Sequence, residues 1–216
     1  FGLPRCPRTE QGMTRAVDWL QQAAQEVSPA PPLNIAACWR AYGATLGAPT
    51  APYVKGWQRP VLRLLAAMAP KRAIRAALLR AMAGRPTTDT GTATEALLSC
   101  LAQSDALICP VTPTAAFGHT PPPRLPMVSR RIASGNARLP YLEGSIGCCV
   151  PASLAGCPAV VLPIDVIDGL PVGLQLIGLP GSETRLLQIG KRIERIFLSH
   201  RPPLHLTLSA RLSKLS

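Results

Sequence analysis

Apolar positions change their period several times along the chain, and each change marks a new element. Met13, Ala16, Val17, Leu20 and Ala24 recur at helical spacing, which predicts a helix over 13–26, led in by Thr9-x-x-Gly12 and ended by Pro29, Pro31 and Pro32. A second helix is predicted over 34–46, with Ile35, Cys38, Trp39 and Tyr42 on one side. The Pro- and Gly-rich stretch 48–60 reads as a loop. Over 61–82, Leu62, Leu65, Ala66, Ile74, Leu78 and Met82 keep helical spacing, but Pro70 lacks the N–H that a helix interior needs. Two helices or one kinked helix is therefore predicted there. Thr92-Ala-Thr-Glu95 has the form of a capping box and opens a helix to about 103, which runs straight into an apolar strand over 106–109.

The sharpest pattern lies at 154–178. Ala159–Leu162 is a short run rich in valine between Pro158 and Pro163, and Val172, Leu174 and Leu176 alternate with Gly173, Gln175 and Ile177. Asp168-Gly169 separates the two runs, and this pair suits a turn at positive φ, so the stretch predicts a hairpin. Pro171 has no N–H to give a ladder and belongs at a strand start or an edge. A last helix opens at Gly181-Ser182-Glu183, with Ser182 as N-cap, and carries Leu186, Ile189, Ile193 and Phe197 as its stripe. Gly190 on that helix predicts close approach to the sheet. Phe1–Arg5 reads as a short strand, and 110–145 as a long Pro-rich loop.

Composition narrows the class. The 216 residues are 47% hydrophobic, enough for one domain with a sizeable core. The 24 prolines punctuate apolar segments and form no low-complexity tract. Gly144–Ile164 is uncharged over about the length of a membrane span, but Pro151, Pro158 and Pro163 would break a helix there, so buried strand and loop is the reading. No basic n-region followed by an apolar h-region occurs.

The net charge of +12 is concentrated, because no Asp or Glu stands between Glu26 and Asp89, a window holding Arg59, Arg63, Lys71, Arg72, Arg75, Arg80 and Arg85. Charge alone admits nucleic acid, an acidic partner or a membrane surface. Nucleic acid is disfavoured, since aromatics make up only 4% and no recognition motif accompanies the charge. A solvated helix face packed on the body of the protein is the plainer account, with an interfacial or partner-binding helix as the functional one.

Three segments carry a family resemblance. Gly156-Cys-Pro158-Ala159 followed by Asp168-Gly-Leu-Pro-Val-Gly-Leu-Gln175-Leu-Ile-Gly178 resembles the C-terminal sheet segment of the amidase signature family. Ser104-Asp-Ala-Leu-Ile-Cys-Pro110-Val-Thr-Pro113 resembles that family's strand and Pro-Thr-x-Pro loop, and Phe1-Gly-Leu-Pro-Arg5 the strand opening its second half. Where members usually carry Asn before the Gly-x-Pro-Ala step, this chain has Ser153. The resemblance implies an α/β fold, part of a mixed β-sheet flanked by helices. Residues 1–197 would form the C-terminal portion of an amidase domain, and 198–216 a poorly ordered tail.

The resemblance further implies hydrolysis of carbon–nitrogen amide bonds, or amide-nitrogen transfer, through a Ser nucleophile, a second Ser in a cis peptide, a Lys base and an acyl-enzyme intermediate. Neither the Gly/Ser-rich segment nor the upstream Lys that would supply these groups is found here. No Gly-Gly or Ser-Ser pair occurs, and Lys55, Lys71, Lys191 and Lys214 stand in a loop, on two predicted helices and in the tail. No catalytic, cofactor-binding or metal-binding residue is therefore assigned, and no cofactor is expected. The implied partners are a small-molecule amide substrate in the complete enzyme and the missing N-terminal half, with no nucleic acid and no membrane span. Two alternatives stay open: a catalytically silent scaffold or binding module with a basic surface, and an amidotransferase branch acting on aminoacyl-tRNA.

Independent centres are poor alternatives. Cys148-Cys149 would need a base, and His119, His200 and His205 show no spacing that supplies one. Asp168 is explained by turn chemistry, and Glu143, Asp165 and Asp168 have no metal-ligand spacing. The seven cysteines, Cys6, Cys38, Cys100, Cys109, Cys148, Cys149 and Cys157, read as free and mostly buried thiols of a reducing, cytoplasmic setting.

Overall fold

The computed structural model describes residues 5–69, 74–85, 90–118 and 131–200. The helices are α1 (Pro7–Gln22), α2 (Ile35–Gly47), α3 (Gln58–Met68), α4 (Ile74–Met82), α5 (Thr90–Ala102), α6 (Tyr141–Ile146), α7 (Val150–Ala155) and α8 (Glu183–His200). The strands are β1 (Leu107–Pro110), β2 (Arg131–Ser134), β3 (Ala137–Pro140), β4 (Ala159–Ile167) and β5 (Leu170–Ile177). This is the α/β architecture the sequence predicts, and the strand pairs among the described residues are all antiparallel.

Strands β1, β5 and β4 form one sheet in that order, and β2 pairs with β3. The β4–β5 turn is as predicted, with Asp168 at φ 49° and Gly169 at φ 75°. Strand β4 runs past Pro163 rather than stopping there. It is an edge strand, and its ladder skips a residue between Pro163 and Asp165, so a missing N–H and a bulge are tolerated. Pro171 pairs with Val166 beyond the reach of β1, whose partners are Leu174 to Ile177.

Both faces of β5 are covered. Val172, Leu174 and Leu176 face α1 and α8, in a core with Met13, Ala16, Leu20, Leu186, Ile193 and Phe197. Ile177 turns the other way and packs with Leu97, Leu101, Leu107 and Ala152. Each such side chain contributes about 1.5–3 kcal/mol by burial, so the sheet is the best-anchored part of the molecule. Helix α8 crosses β4 at Gly190, where a Cβ would meet Val160 Cγ1 at 3.2 Å.

Several boundaries differ from those predicted. Helix α1 begins six residues early, because Pro7 sits at N1 and the Cys6 thiol caps the helix by accepting from Thr9 N–H at 3.4 Å. Gly12 lies inside it, where a Cβ would come 2.7 Å from Val172 Cγ1. Asn34, predicted as the first residue of α2, instead caps it, accepting from Ala37 N–H at 3.1 Å. The 48–60 stretch holds a 3-10 turn, Ala48–Tyr53, and the start of α3. Helix α5 starts at Thr90, two residues before the predicted cap at Thr92. Ser182 stands at the start of α8, but its hydroxyl donates to Leu179 C=O at 2.6 Å instead of capping by accepting. Helix α8 extends to His200, three residues beyond the predicted domain end. Strand β2, a Gly135-Asn136 turn and strand β3 occupy part of the predicted 110–145 loop. The predicted strand at 1–5 lies almost wholly outside the described residues, as do Pro70, Lys71, Arg72, His119, His205 and Lys214.

Candidate functional site

The described chemistry-bearing groups gather where β1 ends. Pro110 leaves the sheet, and Val111 to Ala115 make a compact turn held from four sides. From β5, the Gln175 amide donates to Cys148 C=O at 2.9 Å, Cys109 Sγ at 3.1 Å and Pro110 C=O at 3.4 Å. From α1, Cys6 N–H donates to Pro113 C=O at 2.8 Å while Ala115 N–H donates to Cys6 Sγ at 3.2 Å. From the hairpin, the buried Ser134 hydroxyl donates to Pro113 C=O at 3.1 Å. The Cys149 thiol, at the start of α7, donates to Val111 C=O at 3.5 Å.

The alternation of β5 puts Gln175 opposite the leucine face, and the structure gives it a larger role. It is only 2% exposed, and its amide ties β1, β5 and the Cys148-Cys149 turn into one unit. A polar residue alternating with leucines signals a second face, but the pattern does not say that this face is also buried.

The thiols here are poor nucleophiles. Burial pushes Cys148 up to about 12 and raises Cys149 as well. Burial also raises Cys109, against the opposing effect of the Gln175 hydrogen bond. Cys6 is the exception: burial works to raise it, but donation from Thr9 and Ala115 outweighs this and holds it below its ordinary value. The described histidine, His200, lies at the end of α8, stacked on Trp19 at 5.4 Å with its Nδ1 2.8 Å from Ile196 C=O. It is not hydrogen-bonded to any of these thiols.

The remaining candidates have structural partners. Asp168 pairs with Arg8 at 3.0 Å, and Asp165 with Arg15, so both carboxylates fasten the β4–β5 hairpin to α1. Glu143 on α6 is 1% exposed and its Oε1 accepts from Ile74 N–H, the first of α4, at 2.6 Å. Lys55 is exposed before α3, and Lys191 is exposed on α8. Among the described residues, no group of three His, Cys, Asp or Glu side chains is placed to hold a metal ion. No helix among them is long and apolar enough to cross a membrane.

A groove of about 1380 Å³ opens between α1, the 26–31 segment and the junction of α5 with β1, lined by Met13, Val17, Val27, Leu101, Ile108 and Leu179. Ser28, Ser99 and Ser104 also line it, with Glu26, Asp105 and Arg185 but no lysine or histidine, and Asp105 is ion-paired with Arg185. The braced loop and the groove thus bring no lysine or histidine beside a hydroxyl; Ser199, at the exposed end of α8, lies 3.2 Å from His200 Nδ1 and donates to Ile196 C=O at 2.8 Å.

Similarity to known proteins extends over most of the chain. Residues 6–187 match the family described as Amidase. A 96-residue stretch is 38% identical to the A-type subunit of glutamyl-tRNA(Gln) amidotransferase from Symbiobacterium thermophilum, covering 44% of this chain and 17% of that protein. The corresponding protein of Chloroflexus aggregans is 41% identical over 92 residues, 43% of this chain and 16% of its own. Among solved structures, an amidase superposes with a TM-score of 0.62 and 24% identity, over 89% of this chain and 42% of that one. The A-type subunit of the Thermotoga maritima glutamyl-tRNA(Gln) amidotransferase gives a TM-score of 0.62 at 20% identity, over 93% and 40%. These structural likenesses show a shared fold, and the chain spans well under half the length of the relatives it matches. With its family match running over most of its residues, the chain belongs to the amidase family.

Proposed function

We propose that this chain is the C-terminal portion of an enzyme that hydrolyses carbon–nitrogen amide bonds, with the Ser-Ser-Lys machinery carried outside it. The observation that supports this most is the pairing of an amidase family match over residues 6–187 with a groove whose hydroxyls have no lysine or histidine beside them. An acyl-enzyme mechanism needs a hydroxyl polarised by a base, together with N–H donors for the oxyanion. Here Ser134 and Cys149 give their protons to backbone carbonyls. The braced Val111–Ala115 turn and the hairpin behind it would serve as wall and support for a small amide substrate. Free thiols throughout fit a reducing, cytoplasmic setting.

A second reading draws on one observation: the curated relatives at 38–41% identity carry the name of the A-type subunit of glutamyl-tRNA(Gln) amidotransferase. In that reading the complete protein passes amide nitrogen within a larger assembly. Both readings place the chemistry outside this chain.

The test is turnover of a chromogenic anilide and of glutamine by the purified chain. No hydrolysis above buffer is expected. Hydrolysis that Cys149→Ala abolishes would overturn the proposal, because it would locate a nucleophile inside the chain.

A further inference from the structure

We draw no further inference here: the strongest candidate, the lane of exposed apolar side chains that Trp57, Val61, Leu64 and Met68 form at the start of α3 and along it, is an unpartnered helix face, and nothing in the structure shows what covers it.

Discussion

Gln175 holds its amide in the middle of a covered strand, and its cost and benefit are easy to separate. The amide is enclosed, so it must be satisfied internally, and its NH2, with two hydrogens to give, has three acceptors within reach on β1 and the Cys148 turn. Truncation leaves the Cys148 and Pro110 carbonyls unpaired in the core. Gln175→Ala is therefore expected to cost about 1–3 kcal/mol for the orphaned acceptors, with a cavity term in addition. Urea unfolding at constant m-value measures it. A loss within the ordinary surface range of about 0.5 kcal/mol would show that the amide braces nothing. Glu143 poses the opposite case. Burial raises its carboxyl above the ordinary value, against the pull of Ile74 N–H, and its Oε2 has no partner among the described residues. A raised folded value means that its contribution is present in full below the ordinary carboxylate pKa and is lost as pH rises through the folded one. Thermal melting should fall as pH rises above the ordinary carboxylate range, and Glu143→Gln should remove that part of the fall and melt above the parent at alkaline pH. An unchanged slope in the variant would assign the pH dependence elsewhere.

At the scale of elements, the tightest packing is between α2 and α4, and two glycines set it. A Cβ on Gly43 would lie 2.3 Å from Ile74 C=O, and one on Gly47 2.4 Å from Leu78 C=O, both backbone atoms that cannot swing aside. Alanine gains about 1 kcal/mol in helix propensity over glycine, but forcing the helices apart costs about 1–3 kcal/mol or more. Gly43→Ala should thus lower the melting temperature, whereas Gly56→Ala, with nothing within 4 Å, should not. A stabilised Gly43→Ala would mean the helices are not in this contact. The Gly43-x-x-x-Gly47 spacing is visible in the sequence as two glycines on one helix face, yet spacing does not name the partner helix. Other elements show why parts of the fold are legible. The β4–β5 hairpin is readable because period two and Asp168-Gly169 agree, although Pro163, read as the end of β4, lies inside it. Helix α1 begins early because its cap is a cysteine, a residue outside the usual capping set. The β2–β3 hairpin hides in a basic, proline-rich stretch, although Gly135-Asn136 between two short apolar alternations is a turn signal. The braced turn after β1 is not legible, since its contacts join residues as distant as Cys6 and Ala115.

For the whole molecule, the described strands end in open edges, and Val161 and Val166 stand 57% and 45% exposed on β4. A nine-residue edge strand that no other strand pairs among the described residues is a site for pairing with further chain. Together with the share of its relatives that this chain covers, this supports a protein that folds against a partner segment bearing the catalytic groups. The most direct test of that central claim is the nucleotide sequence immediately upstream of the Phe1 codon, read in all three frames. The account predicts an in-frame Gly/Ser-rich segment with a lysine codon further upstream. A start codon at this point, or unrelated coding sequence in every frame, would contradict it.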